Sequence, residues 1–364
     1  MHERIERITE AVERLEHCIV ATLLTPRAKT QFESGAIAHD ELAPYIPALS
    51  KLSSEYTSER RYALPPMAAK DELTAYALYF LPINFSKFLY LLHELPEKFS
   101  GGPIRILDFG AGPGTATLAA LEYFGAEVQV TLADHSPSML KVAKMMLSAF
   151  HPTADRLTYC SDGEVLQSEA QYDLIIVGNI LTELPHEQRL KLTEKLFKKV
   201  APHGIFFILE PALHSATRGA MSLRDALLDQ HPDLNPIFPC TRRDPCPMLR
   251  QEPDNWCHGI LKWENSRLVS ELDELSGFNK HRLKYTAFIF QRGAMLREGL
   301  RILQEPERKK YGYETLLCGD GIYGRKIIKR DCGEEVKRMV SRAEQFDLIT
   351  LDLELLKAIR STGT

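Results

Sequence analysis

One stretch constrains this chain more than any other: Arg105 to Leu121, which reads RILDFGAGPGTATLAAL. Ile104 to Leu107 is an apolar run too short for a helix, and Asp108 closes it. Gly110, Gly112 and Gly114 follow at alternate positions, and Thr115 to Leu121 is rich in Ala and Leu with no further Gly or Pro. That order predicts a strand, a tight turn and a helix start. Glycine admits the positive φ such a turn needs and lets a ligand approach the backbone. The helix start behind it offers N–H groups without intrahelical partners. A tight βα connection occurs in any α/β protein, and the spacing here is G-x-G-x-G rather than G-x-G-x-x-G. Two acids narrow the choice: Asp108 before the turn, and Asp134 at the end of the next apolar run, VQVTLAD. A carboxylate at the end of a second strand is placed to accept hydrogen bonds from ribose hydroxyls.

With these residues the stretch resembles the S-adenosyl-L-methionine-dependent methyltransferases of the Rossmann-like class. The resemblance implies that the turn (Asp108, Phe109, Gly110, Ala111, Gly112, Gly114) holds the amino-acid part of the cofactor. It implies that Asp134 holds the ribose, and His135 beside it is counted with the cofactor-binding residues. Further strands are expected at Val128–Asp134, Leu157–Cys160, Asp173–Val177 and Gly204–Glu210. Helices are expected over Thr115–Phe124, from a cap at Ser136 or Ser138 through Phe150, and over Pro185–Val200. The alternation predicts a doubly wound parallel sheet, the α/β class I methyltransferase arrangement. Ligands of such sheets bind beyond the carboxyl ends of the strands. Asp108, Gly110, Asp134, Asp162, Asn179 and Glu210 all fall at or just after those ends. Each alone could be a cap or turn residue; six on one rim is the specific part of the signal. Asp162 stands where this class often contacts the adenine amino group, and a cap for the helix at Gly163 reads equally well. Asn179, also counted with the cofactor-binding residues, and Glu183 lie in GNILTELP and are the catalytic candidates, facing the place of a methyl acceptor. The Asn-Pro-Pro-Tyr type of sequence is absent, which counts against N-methylation of adenine. No general base is evident, and methyl transfer from a sulfonium relies chiefly on positioning.

The 364 residues are 44% hydrophobic and 26% charged, an ordinary globular composition long enough for two or three packed units. No apolar run approaches the roughly 20 residues that span a bilayer, so no membrane partner is expected. The first residues, MHERIERITEAVERLE, carry many acids and no apolar signal core. A cytoplasmic, bacterial protein without a targeting segment is the expectation. The net charge of −4 argues against a uniformly basic nucleic-acid binder. Yet Pro236 to Arg330 carries 18 Lys and Arg against 12 Asp and Glu, which fits either a localised phosphate contact or a chance imbalance. Cys18 and Cys160 sit in apolar patterns and read as buried small hydrophobes.

Residues 1–98 read as a helical N-terminal region. Ile5, Ile8, Val12, Leu15, Ile19 and Leu23 mark an amphipathic helix stopped near Pro26, and Pro44, Pro47, Pro65 and Pro66 break residues 27–70 into short pieces. Residues 71–94 read as helix, with Pro82 as a kink or boundary. Its aromatic side chains (Tyr76, Tyr79, Phe80, Phe85, Phe88, Tyr90) read as core in preference to cofactor contacts. Residues 99–293 form the expected methyltransferase domain, with a Cys-rich insertion at 231–259 after strand five. Residues 294–364 form a small basic β-hairpin module with a C-terminal helix. A monomer is favoured.

The insertion reads HPDLNPIFPCTRRDPCPMLRQEPDNWCHG, with six prolines and no clear period. Three thiols in so short a span, stiffened by proline, form a metal-ligand pattern that matches no standard zinc finger. A fourth ligand is required, and His258, Cys318 and Cys332 are candidates. Nucleophilic catalysis is the other reading. Pro239-Cys240 and Pro245-Cys246 resemble the Pro-Cys pair of cytosine-C5 methyltransferases, but they follow strand five rather than four and leave Cys257 unexplained.

The turn DFGAGPGTA, the segment F-P-C-x5-C-P-x-L, the triplet W-C-H and the later L-C-x-x-G-x-x-G-R pattern occur together in one family. Here the chain resembles the mitochondrial small-ribosomal-subunit methyltransferase-like family, which has bacterial members, from about residue 70 to 332. The resemblance implies association with the small ribosomal subunit through rRNA, and a four-cysteine iron–sulfur (4Fe-4S) cluster with zinc as the alternative metal. The implied ligands are Cys240, Cys246, Cys257 and Cys318; Cys332 does not match, and Gly259 stands where the family usually has an aromatic residue. Cys318 lies in a predicted hairpin with an Asp320-Gly321 turn, and KYTAFIFQR (284–292) suits an antiparallel last strand. Arg297 to Arg330 is basic enough for an rRNA surface, or for a solvated edge protected by lysines. Residues 333–360 are expected to be a helical tail. The Cys-x3-Cys-x2-Cys pattern of radical enzymes is missing, so a cluster here would be structural. Two rival functions remain: a catalytically silent assembly factor, and a small-molecule methyltransferase with a zinc site.

Overall fold

The computed structural model describes residues 2–35, 39–57, 69–97, 103–319, 321–329, 333–350 and 360–361. The chain forms two compact units, Met1–Glu210 with Leu261–Leu283, and Pro211–Ile260 with Lys284–Thr364. This division differs from the expected one. The cysteine insertion groups with the C-terminal module, and the segment that follows the insertion returns to the first unit.

The first unit opens with helices α1 (His2–Leu23), α2 (Pro26–Glu33), α3 (His39–Leu42), α4 (Ile46–Thr57) and α5 (Lys70–Leu92). The apolar stripe of α1 is buried at Ile8, Val12, Leu15 and Ile19, as its spacing predicts. Helix α5 runs unbroken through Pro82, which is neither boundary nor stop. Ser86 Oγ donates to the Pro82 carbonyl at 2.8 Å. Burial on most of its circumference holds the helix despite the lost N–H. Contrary to the sequence reading, α5 is long and apolar enough to cross a membrane by length and composition, and 78% of its most apolar window is buried within the chain.

Strands and helices then alternate: β1 (Arg105–Phe109), α6 (Thr115–Phe124), β2 (Gln129–Ala133), α7 (Pro137–Phe150), β3 (Leu157–Cys160), α8 (Asp162–Gln167), β4 (Tyr172–Gly178), α9 (His186–Phe197) and β5 (Val200–Glu210). The strands pair in parallel in the order β3-β2-β1-β4-β5. Phe109 is in register with Ala133 and Val177, so β1, β2 and β4 end level with one another. The order reverses at β1, which puts the ligand crevice beyond the ends of β1 and β4. Buried runs such as Leu174–Val177 and Ile205–Leu209 are what a sheet covered on both faces requires. Ser136, not Ser138, caps α7 by accepting from Met139 N at 3.4 Å. A returning helix, Arg267–Ser276, is capped from α1: Glu16 Oε2 accepts from Leu268 N at 3.1 Å, and the Ser266 hydroxyl donates to the same carboxylate.

The second unit holds α10 (His214–Gln230), β6 (Leu234–Phe238), α11 (Pro247–Gln251), β7 (Gly259–Lys262, where the chain passes back), β8 (Arg282–Arg292), β9 (Leu300–Ile302), β10 (Glu307–Lys309), β11 (Gly312–Gly319), β12 (Ile322–Lys329) and α12 (Glu334–Arg342). Strand β8 is antiparallel to β6, and β11 and β12 form the expected hairpin, from Gly312 opposite Lys329 to Gly319 opposite Ile322. Asp320 of its turn, and Cys332, lie outside the described residues. The small sheet closes on Leu300, Ile302, Leu317, Ile328, Val340 and Ile349. Among the described residues the tail is helical over Glu334–Arg342, while Leu348 and Ile349 pair with β9, where two apolar side chains complete that core; residues 351–359 of the expected helical tail lie outside the described residues. Cys18 and Cys160 are half-buried rather than buried.

Candidate functional site

The glycine turn is held by β2. Gly110 N and Ala111 N both donate to the Ala133 carbonyl, at 2.8 and 3.0 Å. All three glycines have positive φ, but for different reasons. A Cβ at Gly110 would stand 2.5 Å from Ile180 Cγ2, and one at Gly114 would stand 3.2 Å from Ala143 and Leu147 of α7. Those two positions serve packing, as do the buried Phe109 and Ala111. A Cβ at Gly112 would meet nothing within 4 Å. The open side of the cradle is therefore at Gly112.

Its carboxylates divide into those spent internally and those left open. Asp108 Oδ2 accepts from Thr117 N at 3.0 Å and Thr117 Oγ1 at 2.7 Å, so this oxygen is turned onto the first turn of α6. Burial pushes Asp108 up to about 6 against those two bonds, with Asp134 adding to the rise. Asp134 bridges the cradle: Oδ2 accepts from Gly112 N at 2.8 Å and Oδ1 from Ser136 N at 2.7 Å. A carboxylate has about four acceptor positions, so about two remain. His135 is exposed, its Nδ1 3.6 Å from Asp134 Oδ1. Asp162 is not a cap; Ser161 and Glu164 form the capping box of α8. Asp162 Oδ1 is buried without a hydrogen-bond partner, and burial raises its pKa, with His135 and Asp134 both within electrostatic reach.

Beyond β4, Asn179 takes a left-handed backbone (φ 59°), a strained state for a residue other than glycine. Its N–H donates to the Leu209 carbonyl at 2.8 Å. The turn Leu181–Glu183 that follows is held by Glu210, whose Oε1 accepts from Leu181 N at 2.9 Å and Oε2 from Thr182 N at 3.3 Å. Burial pushes Glu210 up to about 7 in spite of those bonds. Glu210 is thus a positioning group for the turn that carries Glu183.

One residue that the sequence reads as core faces this rim. Tyr76 of α5 is bonded to Asn84 and faces the charges of Glu183 and Asp134; burial pushes its hydroxyl well above the ordinary range. Asn84 Oδ1 accepts from Lys87 Nζ at 3.2 Å, and burial, with Lys280 nearby, pushes Lys87 down to about 7. The Tyr76 ring lies 5.4 Å from Phe80 and 6.1 Å from Tyr56. The core reading holds for Tyr79, Phe85 and Phe88, which are buried, but Tyr76 and Phe80 are only partly so. The available signal is Lys87, the one charged side chain after the first turn of α5.

The four expected ligands come together in the second unit. Cys240 follows β6, Cys246 precedes α11, Cys257 precedes β7 and Cys318 lies on β11. Burial pushes Cys246 up to about 11, Cys318 to about 12 and Cys257 well above the thiol range, and the charges of the other thiols raise each further. Among the described residues, only His39, Glu271 and Glu274 place three ligand atoms within 4.8 Å of one another, so no three of the thiols do. Tyr285 fills the space next to Gly259 that a side chain there would need.

Helix α10 organises this centre. Arg218 donates to the carbonyls of Leu249, Glu252 and Asn255 at 2.7 to 3.0 Å. Met221 Sδ accepts from Cys257 N at 3.5 Å. Arg224 donates to the carbonyls of Asp244, at 2.6 Å, and Arg242, and Asp225 accepts from Cys246 N at 2.9 and 3.0 Å. These positions share one helical face. Arg301, in the basic segment, is buried and donates to the carbonyls of Pro239 and Phe346, both at 2.6 Å. Part of the apparent RNA-facing charge is therefore consumed inside the module.

A parallel sheet of this order, with a glycine cradle and acidic strand ends at its switch point, is the fold of the Rossmann-like S-adenosylmethionine-dependent methyltransferases. Within that class the chain belongs to the family described as mitochondrial small ribosomal subunit Rsm22, which matches residues 70–337. The chain is also similar to carboxy-S-adenosyl-L-methionine synthase of Actinobacillus succinogenes, 27% identical over 128 residues, covering 35% of this chain and 53% of that protein. It spans about half the length of most curated relatives it matches. Among solved structures it is similar to the magnesium protoporphyrin IX methyltransferase of Synechocystis with bound S-adenosylmethionine (TM-score 0.35, 11% identity, 67% of this chain and 97% of that one). The plantazolicin methyltransferase BpumL gives a TM-score of 0.37 at 13% identity, over 78% of this chain and 99% of that one.

Proposed function

We propose that this chain is an S-adenosylmethionine-dependent methyltransferase that acts on the small ribosomal subunit, or assists its assembly, through rRNA. The observation that carries the cofactor reading is the orphaned, buried Asp162 Oδ1 on the same rim as Asp134 and the open Gly112. Asp162 Oδ1 would accept from the adenine amino group, Asp134 from the ribose hydroxyls, and the N-terminus of α6 would face the cofactor carboxylate. The cofactor supplies an electrophilic methyl on a sulfonium. The chain's own residues hold the acceptor: Asn179 and Glu183 on the turn fixed by Glu210, with Tyr76 opposite Glu183. Their task is orientation and exclusion of water.

Cys240, Cys246, Cys257 and Cys318 would hold a 4Fe-4S cluster that ties the loop to β11. A tetrahedral zinc site, with Zn–S bonds of about 2.3 Å, brings sulfurs to about 3.8 Å of one another. No three of these thiols come that close among the described residues, and the cluster reading rests on the family resemblance. The partner reading rests on the family and on the basic hairpin. The family description supports a mitochondrial setting, and the bacterial cytoplasm remains the setting proposed from the sequence. Incubation with methyl-labelled S-adenosylmethionine and immature small subunits tests the enzyme reading. Label in rRNA supports it, and label in neither RNA nor protein overturns it in favour of a silent assembly factor. Affinity for RNA at low salt separates it from a small-molecule methyltransferase. Anaerobic purification with iron, zinc and sulfide analysis decides the metal.

A further inference from the structure

Arg224 is 1% exposed and is the largest fully buried side chain among the described residues. A buried guanidinium is costly unless its charge is compensated and its N–H groups are used. Its terminal nitrogens are used: they donate to Asp225, at 2.6 Å, and to the carbonyls of Arg242 and Asp244. Its Nε–H is buried with no partner. Asp225, the one carboxylate bonded to it, is itself drawn to the backbone of Cys246. The other groups within electrostatic reach of Arg224 are sulfurs: Cys240, Cys246, Cys257 and Cys318 all feel its charge or act on it.

We propose that Arg224 is the fixed counter-charge of the four-thiolate centre, with its Nε–H as a hydrogen-bond donor toward the sulfur of that centre. This rests on the four cysteines being ligands of one group. A group held by four thiolates is net anionic, and reduction makes it more so. A cation locked in place by loop carbonyls therefore favours the reduced state and slows loss of the metal. Arg224 does not touch the reaction at the glycine cradle; it is a positioning residue for the second centre.

The test uses the full chain, reconstituted anaerobically with iron and sulfide. Three readouts are taken: iron and sulfide content, reduction potential by poised titration with a spectroscopic signal, and the rate of iron loss to a chelator. Arg224→Gln is expected to lose about tenfold of the preference for the reduced state, a fall of about 59 mV for a one-electron couple, and to release iron faster. Arg224→Lys keeps the charge and is expected to stay near the native potential. A folded Arg224→Gln with native potential and native chelator kinetics overturns the proposal while leaving the four-cysteine reading intact. Wild-type protein that takes up neither iron with sulfide nor zinc removes both. If Arg224→Gln does not fold, Arg224→Lys decides. A native potential supports the counter-charge, and a tenfold loss with the charge retained overturns it.

Discussion

Gly112→Ala tests the cradle most directly, because the structure separates its cost to folding from its cost to binding. Gly112 has φ 53°, and a Cβ there meets nothing within 4 Å. The folding penalty is then only that of a left-handed alanine, about 1–2 kcal/mol. In a unit of this size that lowers Tm by about 2–4 °C per kcal/mol. The new methyl projects into the open side of the turn, where Gly112 N already orients Asp134. Overlap with a bound ligand costs about 1–3 kcal/mol, or roughly tenfold to hundredfold in Kd. Gly110→Ala is the control. Its Cβ would lie 2.5 Å from Ile180 Cγ2, a branch that cannot swing away without moving the turn that carries Glu183. Strain of about 1–3 kcal/mol adds to the left-handed penalty, so this variant loses more stability. Calorimetric titration with S-adenosylhomocysteine, alongside thermal unfolding, reads both quantities. A folded Gly112→Ala that binds within twofold of wild type would refute the placement of the ligand on the open side.

Three further outcomes are expected. Asp162→Asn leaves stability nearly unchanged, because Oδ1 has no partner to lose, yet weakens S-adenosylhomocysteine binding severalfold in titration; unchanged affinity removes the adenine contact. Tyr76→Phe lowers the transfer rate with cofactor affinity preserved, read in single-turnover labelling; an unaltered rate returns Tyr76 to the core. Glu16, pushed up to about 7 by burial, binds a proton in the folded state that the unfolded chain releases from about 4.5 upward. Stability from this group therefore falls as pH rises from about 4.5 to about 7 and is level above that. Urea unfolding at pH 5 and 8 should show a smaller pH difference for Glu16→Gln, and an equal one would exclude Glu16 as a source.

How legible this was depended on range. The strand, glycine turn and helix at Arg105–Phe124 follow from an apolar run, three glycines and an Ala-rich stretch, all local properties. The spacing of Cys240, Cys246 and Cys257 is as local, whereas Cys318 comes from far along the chain and lies within electrostatic reach of Cys257. Residues 71–94 read as helix and are one, but lost-N–H reasoning left a boundary at Pro82 open, and burial of most of α5 outweighs that lost bond. Asp108 is at a strand end as expected, and one of its oxygens is bonded to Thr117, nine residues on, which spacing alone does not show.

The sequence by itself determined the class of fold and the glycine turn, because spacing and turn chemistry act over a few residues; it marked three clustered thiols and left the choice of a fourth ligand to the family resemblance. Only the tertiary structure decided which polar atoms remain available. Asp162 Oδ1 is left open while Asp108 Oδ2 is consumed, Tyr76 feels the charge of Glu183 from a helix a hundred residues earlier, and Arg224 is buried against loops that follow it. Each of these depends on which distant segments pack together and so on which donors and acceptors are already satisfied when the chain closes.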